Sequence, residues 1–145
     1  MTYRYTVSGL DYIYLKNGYK KHKTPYGPGV SIANIAGLHD AITRLLCTRI
    51  QFFKGQEARY LRKSLDVTQA VLGNMLGVDS QTIARWEKNE HDMPEPAQRL
   101  LRLICMEKFN EKSPIHSFIE RLNNLEDKGG NIVMEEKGDK WRIVA

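Results

Sequence analysis

The stretch that most narrows what this chain can fold into is Gln69 to Lys88, QAVLGNMLGVDSQTIARWEK. Apolar residues recur at Val71, Leu72, Met75 and Leu76, then again at Ile83 and Trp86, so each half carries one sticky face at helical spacing. Between them Gly77 can take the left-handed conformation that ends a helix, Val78 can plug the gap beneath the turn, and Asp79 or Ser80 can cap the next helix. Two such faces meeting across the turn leave the outer side of the second helix in solvent. That side shows Ser80, Gln81, Ala84, Arg85 and Lys88. Small, amide and guanidinium groups together suit the base edges of a major groove.

Upstream, the chain reads as extended. Tyr3 to Val7 and Tyr12 to Lys16 alternate aromatic or branched residues with polar ones, which predicts strands. Asn17-Gly18 between YIYLK and YKKHK predicts a hairpin of residues 11–16 with 19–24, because both central residues of a type I′ turn need positive φ. Pro25 to Gly29 is a rigid turn, and Val30 to Ile32 can return as a further strand. The tyrosines and Lys20, Lys21 and Lys23 offer either cross-strand packing with a soluble edge or a stacking platform for unpaired bases. From about Gly37 the period changes. Leu38, Ala41, Ile42, Leu45 and Leu46 predict a helix that covers the sheet and runs towards Phe53, with Gly55 as its stop.

Gln56 to Leu65 predicts another helix, broken at Asp66-Val67, with Thr68 placed to cap the helix beginning at Gln69. Asn89 is a left-handed cap after Lys88, and Glu95-Pro96 opens a helix to about Phe109. Leu100, Leu101, Leu103, Ile104, Cys105 and Met106 cannot share one stripe of it, so one face is left for a partner or for a C-terminal segment folding back. Ser113-Pro114 starts an amphipathic helix bearing Ile115, Phe118, Ile119, Leu122 and Leu125. A final hairpin turns at Lys137-Gly138-Asp139. The fold class expected is α+β: a small N-terminal antiparallel sheet with a helix, a helical domain, then a C-terminal helix and hairpin. Three units follow, 1–54, 55–110 and 111–145, the last a dimerisation or partner extension.

Charge is distributed unevenly. Residues 1–55 hold eight Lys plus Arg against two acids, whereas 56–106 hold seven of each, so long-range attraction to phosphate must come from the first third. Cys47 and Cys105 lie far apart with no CxxC, and the four histidines follow no ligand spacing. The expectation is therefore two reduced core cysteines and no metal site or cofactor. No GxSxG, P-loop, HExxH or paired-carboxylate spacing suggests catalysis. No apolar run approaches the roughly 20 residues of a membrane span, and the N-terminus lacks the apolar core of a signal peptide, so a cytoplasmic protein without membrane contact is expected.

The segment LRKSLDVTQAVLGNMLGVDSQTIARWEKN resembles the helix-turn-helix of the phage repressor and Cro class, also called the xenobiotic-response-element family. Thr68-Gln69 opening the second helix, Leu72 and Leu76 within it, Gly77-Val78 at the turn, Ile83 in the core and Trp86-Glu87 closing the reader carry the likeness. The resemblance implies that Ser80, Gln81 and Arg85 face base edges, that Thr68, Gln69 and Lys88 meet phosphate, and that Arg62 and Glu87 form a structural pair. Gly73 stands where that family usually has alanine. The layout of a small sheet module before the reader also resembles the MqsA (YgiT-like) antitoxins and their regulator relatives, without the paired zinc cysteines of that family. Together these imply a sequence-specific regulator of transcription that binds double-stranded DNA, a repressor acting as a homodimer. The alternative is an antitoxin-like protein that binds a toxin through its N-terminal module and autoregulates its operon.

Overall fold

The computed structural model describes residues 2–51, 53–109, 131 and 133–143. In chain order it contains β1 (Tyr3–Arg4), β2 (Tyr14–Leu15), β3 (Tyr19–Thr24), β4 (Gly27–Ile32), α1 (Ile35–Thr48), α2 (Gly55–Ser64), α3 (Gln69–Leu76), α4 (Ser80–Glu87), α5 (Glu95–Glu107), β5 (Met134–Lys137) and β6 (Lys140–Ile143). The layout is α+β, as expected. The predicted helix from Ser113, with its stripe from Ile115 to Leu125, lies outside the described residues.

The N-terminal strands pair differently from the sequence expectation. Tyr14–Leu15 pairs with Tyr3–Arg4, not with Tyr19–Thr24, and β3 pairs with β4 in an antiparallel ladder running from Tyr19↔Ile32 to Thr24↔Gly27. Asn17-Gly18 is therefore no hairpin turn. Gly18 has φ 79° but Asn17 keeps negative φ, and the Gly18 carbonyl instead accepts from the Ala33 amide at 2.8 Å. Burial explains the switch. Tyr5, Leu10 and Ile13 all join the core, and the Tyr5 amide bonds the Ile13 carbonyl at 2.8 Å, so the chain beside β2 is committed to β1 before it can serve β3. The β3–β4 reversal falls on Pro25-Tyr26, where proline forbids the positive φ of a primed turn; Gly27 supplies it one residue later, at φ 114°. At the other end of the chain Gly138 and Asp139 both take φ 61°, so the two-residue turn of the β5–β6 hairpin is of the primed kind.

Asn34, itself at φ 48°, caps α1 through an Oδ1 that accepts the Gly37 amide, so the helix begins at Ile35. It ends at Thr48, short of Phe53. Gly55 does not stop α1; it opens α2. A Cβ there would stand 2.3 Å from the Glu87 carbonyl oxygen and 2.6 Å from that of Trp86, and the Gly55 amide donates to Asn89 Oδ1 at 2.8 Å. Only glycine lets the first turn of α2 rest on the last carbonyls of α4.

Helix α1 packs chiefly against α5 and then α2, so it extends the helical layer instead of simply covering the strands. This accounts for the apolar breadth of α5. Leu101, Ile104 and Cys105 are buried, while Leu100 and Leu103 remain 38% and 47% exposed, so much of the face expected to be left over is taken by α1. The same packing brings Cys47 beside Cys105, whose Sγ donates to the Leu61 carbonyl at 3.8 Å, and both are free thiols. The neighbouring Cys105 thiol lowers the Cys47 pKa, while the neighbouring Cys47 thiol and burial raise that of Cys105. One core cluster runs from Tyr5, Leu10 and Ile13 through Ile42 and Leu46 to Leu61, Leu72, Ile83, Trp86 and Leu101.

Candidate nucleic-acid interface

The α3–α4 connection is fixed by chemistry at every position. Thr68 caps α3, its Oγ1 accepting the Val71 amide at 3.1 Å. Gly77 ends the helix in the left-handed region at φ 77°, and the Val78 amide closes back on the Gly73 carbonyl at 2.8 Å. Asp79 then caps α4, with Oδ1 accepting both the amide and the hydroxyl of Thr82 at 2.7 Å. These bonds, the hydroxyl first, hold the Asp79 carboxyl below the usual range. Because Asp79 is the cap, the Ser80 side chain is not spent on that task. Gly73 has a positive reason to replace alanine: a Cβ would lie 2.5 Å from the Val78 carbonyl oxygen.

On α4, Ile83 and Trp86 face inward, while Ser80, Gln81 and Arg85 are exposed, as is Lys88 at its end. Positions 81, 85 and 88 are separated by four and three residues and so share one side of the helix. That side offers an amide and a guanidinium, each able to make paired hydrogen bonds with adenine or guanine edges, and an ammonium one turn on that suits phosphate.

Behind this face sits an ion pair. Arg62 on α2 donates through Nε to Glu87 Oε2 at 2.7 Å and through NH2 to Oε1 at 3.0 Å, and through NH1 to the Val67 carbonyl at 3.1 Å. One guanidinium thus ties α2, the link to α3 and the end of α4. Gln69 joins the group, its Nε2 donating to Glu87 Oε1 at 3.4 Å. The structure therefore brings Arg62, Gln69 and Glu87 into one cluster and leaves Ser80, Gln81, Arg85 and Lys88 in solvent. Thr68 is exposed at the N-terminus of α3, one residue before Gln69.

Several supporting residues escaped the sequence reading. The α2 entrance is held by Glu57, whose Oε1 reaches back three residues to accept the Lys54 amide at 3.2 Å; with lysine at the cap position the sequence shows no capping-box signature. Glu57 is itself buried, which pushes its pKa up, and its Oε2 has no hydrogen-bond partner. The N-terminal segment docks beside this entrance: the Asp11 amide donates to Gln56 Oε1 at 3.3 Å, and Asp11, Tyr12, Lys54, Gln56 and Asn89 line one shallow cleft. Deeper in, the Tyr5 hydroxyl and His39 Nε2 are 2.8 Å apart, and the hydroxyls of Tyr60 and Thr43 both donate to the His39 carbonyl. Burial pushes the Tyr60 phenol up to about 12. No local sequence signal announces these long-range bonds.

The tyrosines form no stacking platform. Tyr5 is buried, Tyr3 and Tyr19 lie against each other with ring centres 5.2 Å apart, and only Tyr14 and Tyr26 are largely exposed among those described. Among the described residues no group of three or more His, Cys, Asp or Glu side chains gathers to hold a metal, and no helix is long and apolar enough to cross a membrane.

Residues 59–105 match the family model described as helix-turn-helix, a span that includes α3, α4 and most of α2 and α5. No curated protein and no solved structure matches the chain. The match supports a DNA-binding regulator of transcription.

Proposed function

We propose that the chain is a sequence-specific repressor that reads a palindromic duplex as a homodimer, with α4 in the major groove of each half-site. The observation that carries this is the exposed α4 face of Ser80, Gln81 and Arg85 on a helix whose other side is locked by Ile83, Trp86 and the Arg62–Glu87 pair. A reader must hold its base-contacting groups in fixed register, and that lock supplies the register. Gln69 and Thr68 at the α3 N-terminus and Lys88 after α4 flank this face and would bind backbone phosphate. Exposed Leu100 and Leu103 on α5, with Met134, Trp141 and Ile143 on the C-terminal hairpin, give a second copy apolar surface to bury. In this reading residues 55–110 are the reader, 1–54 the module that attracts, and 111–145 the extension that pairs.

Selection of duplexes from a random pool tests the proposal. A palindromic consensus is expected, and Arg85→Ala should lower preference for it over a scrambled duplex by roughly 5- to 150-fold while weak binding survives. A pool that yields no consensus would overturn the reader. Sedimentation as a monomer at concentrations that fill both half-sites would overturn the dimer. The antitoxin-like alternative is favoured by one feature, the exposed basic projection of the N-terminal module, which suits an acidic protein partner as well as DNA.

A further inference from the structure

The β3–β4 hairpin is the most uniformly charged projection in the described chain. Between Asp11 and Asp40 there is no acidic residue, and Lys16, Lys20, Lys21 and Lys23 all fall in that interval. Residues 20–23 are exposed without exception, although they sit in the middle of a six-residue strand. Alternation along the strand puts Lys20 and His22 on one side of the ribbon and Lys21 and Lys23 on the other. The strand opposite is slim. Gly27, Gly29 and Ser31 stand across from Thr24, His22 and Lys20, so nothing larger than a hydroxymethyl group comes from β4 on that side. Tyr26 at the tip is fully exposed, and the base is held by Tyr19 against Tyr3, with Ile32 half-buried.

Edge protection alone does not account for this pattern. Lysines keep a strand edge from aggregating, but acidic residues do so as well, and 28 consecutive residues without one are not required for it. The charge has a use elsewhere in the molecule. Residues 56–106 are electrically neutral, with seven cations and seven anions, so the reader has local groups for phosphate but no net charge to draw it from a distance. The segment that leads into the hairpin is bonded to Gln56 and borders Asn89, the residue just beyond Lys88 at the exit of α4. The segment that leads into the basic ribbon is thus docked beside the C-terminal end of α4.

We infer that the β3–β4 hairpin is a second DNA contact, a ribbon whose Lys20, Lys21 and Lys23 bind the sugar–phosphate backbone beside the operator without reading bases. The inference rests on the reading of α4 as a duplex reader and adds the partner chemistry of the N-terminal module: duplex phosphodiester, and not unpaired bases, for which the tyrosines give no contiguous platform.

The test uses the full chain and three fluorescent probes of about 30 nucleotides, of the length two major-groove half-sites and their flanks require: the selected consensus duplex, a mixed-sequence duplex, and a single strand. For Lys20→Gln/Lys21→Gln/Lys23→Gln the slope of log affinity against log salt should become shallower by about 2–3 per bound protomer, near 0.9 per lost phosphate contact and so about 5 for a dimer, on both duplexes. Affinity at moderate salt should fall tenfold or more on both, with the ratio between them unchanged. Lys20→Arg/Lys21→Arg/Lys23→Arg should keep the wild-type slope, and both variants should melt like wild type, which separates lost charge from lost folding. Unchanged duplex slopes in the Gln variant would overturn the inference, as would a loss confined to the single strand. Those results differ from failure of the reader, in which Arg85→Ala would leave the consensus preference intact whatever the hairpin does.

Discussion

The α3–α4 unit and the β3–β4 hairpin are both built on a sharp reversal, yet they are specified in opposite ways. In the helical unit a cap, a left-handed glycine and a second cap follow one another within twelve residues, and each is satisfied by a neighbour three to five positions away. In the hairpin the strongest local signal, Asn17-Gly18, is overridden, and the turn forms at Pro25-Tyr26. The first is redundant: local bonds, the core and the Arg62–Glu87 pair agree. The second hangs on which strand β2 joins. Their charges differ in the same sense, since the helical unit is neutral and packed while the hairpin is cationic and exposed.

Five substitutions probe this contrast. Arg62→Ala strips the charged partner from a Glu87 side chain that is 5% exposed, leaving it the bond from Gln69, and should cost about 3–5 kcal/mol in urea unfolding; replacing both residues by apolar ones of similar volume should cost less than the single change. If the single and double variants were equally stable, the stranded Glu87 carboxylate would not be what destabilises the single one. Gly73→Ala should destabilise by about 1–3 kcal/mol despite alanine's better helix propensity, because its Cβ would meet the Val78 carbonyl. A gain in stability on thermal melting would show that the α3–α4 turn gives way easily.

The two carboxylates of this half should respond oppositely to pH. Asp79 is held below its usual range, so its contribution is present above the unfolded value near 3.9 and is lost as pH falls through the lower folded value. Glu57 is raised by burial, so stability tied to it falls as pH rises from about 4.3 through its folded value. Asp79→Asn should flatten the acid limb of a stability–pH curve and Glu57→Gln the limb above it; curves parallel to wild type would refute both assignments. The smallest effect is expected at Asn17. Its alanine variant should change stability by no more than about 0.5 kcal/mol, since no primed turn depends on it. A large loss would return Asn17-Gly18 to a structural role in the hairpin.

Legibility followed the range of the interaction. Thr68, Gly77 and Asn89 were readable because a cap or a left-handed position depends on the residue and its immediate neighbours. Periodicity alone puts Gln81 and Arg85 on the open side of α4, because Ile83 and Trp86 mark its buried side. Gly55 was misread as a stop because its reason for being glycine lies on α4, more than thirty residues away. Tyr5 and His39 gave no warning of their bond, and the breadth of α5 pointed to a missing partner when part of the answer was α1.

The sequence by itself determined the helix-turn-helix, its caps, its inward and outward faces and the separation of neutral reader from basic N-terminus. These rest on helical period, on the φ preference of glycine and asparagine, and on formal charge, all fixed within a few residues. Tertiary structure alone decided that β2 pairs with β1, that α1 docks on α5 and brings Cys47 to Cys105, and that Gly55 seats α2 on the end of α4. In each of these several local solutions are open to the chain, and the one adopted is that which buries Tyr5, Leu10, Ile13 and Leu46 together in a single core.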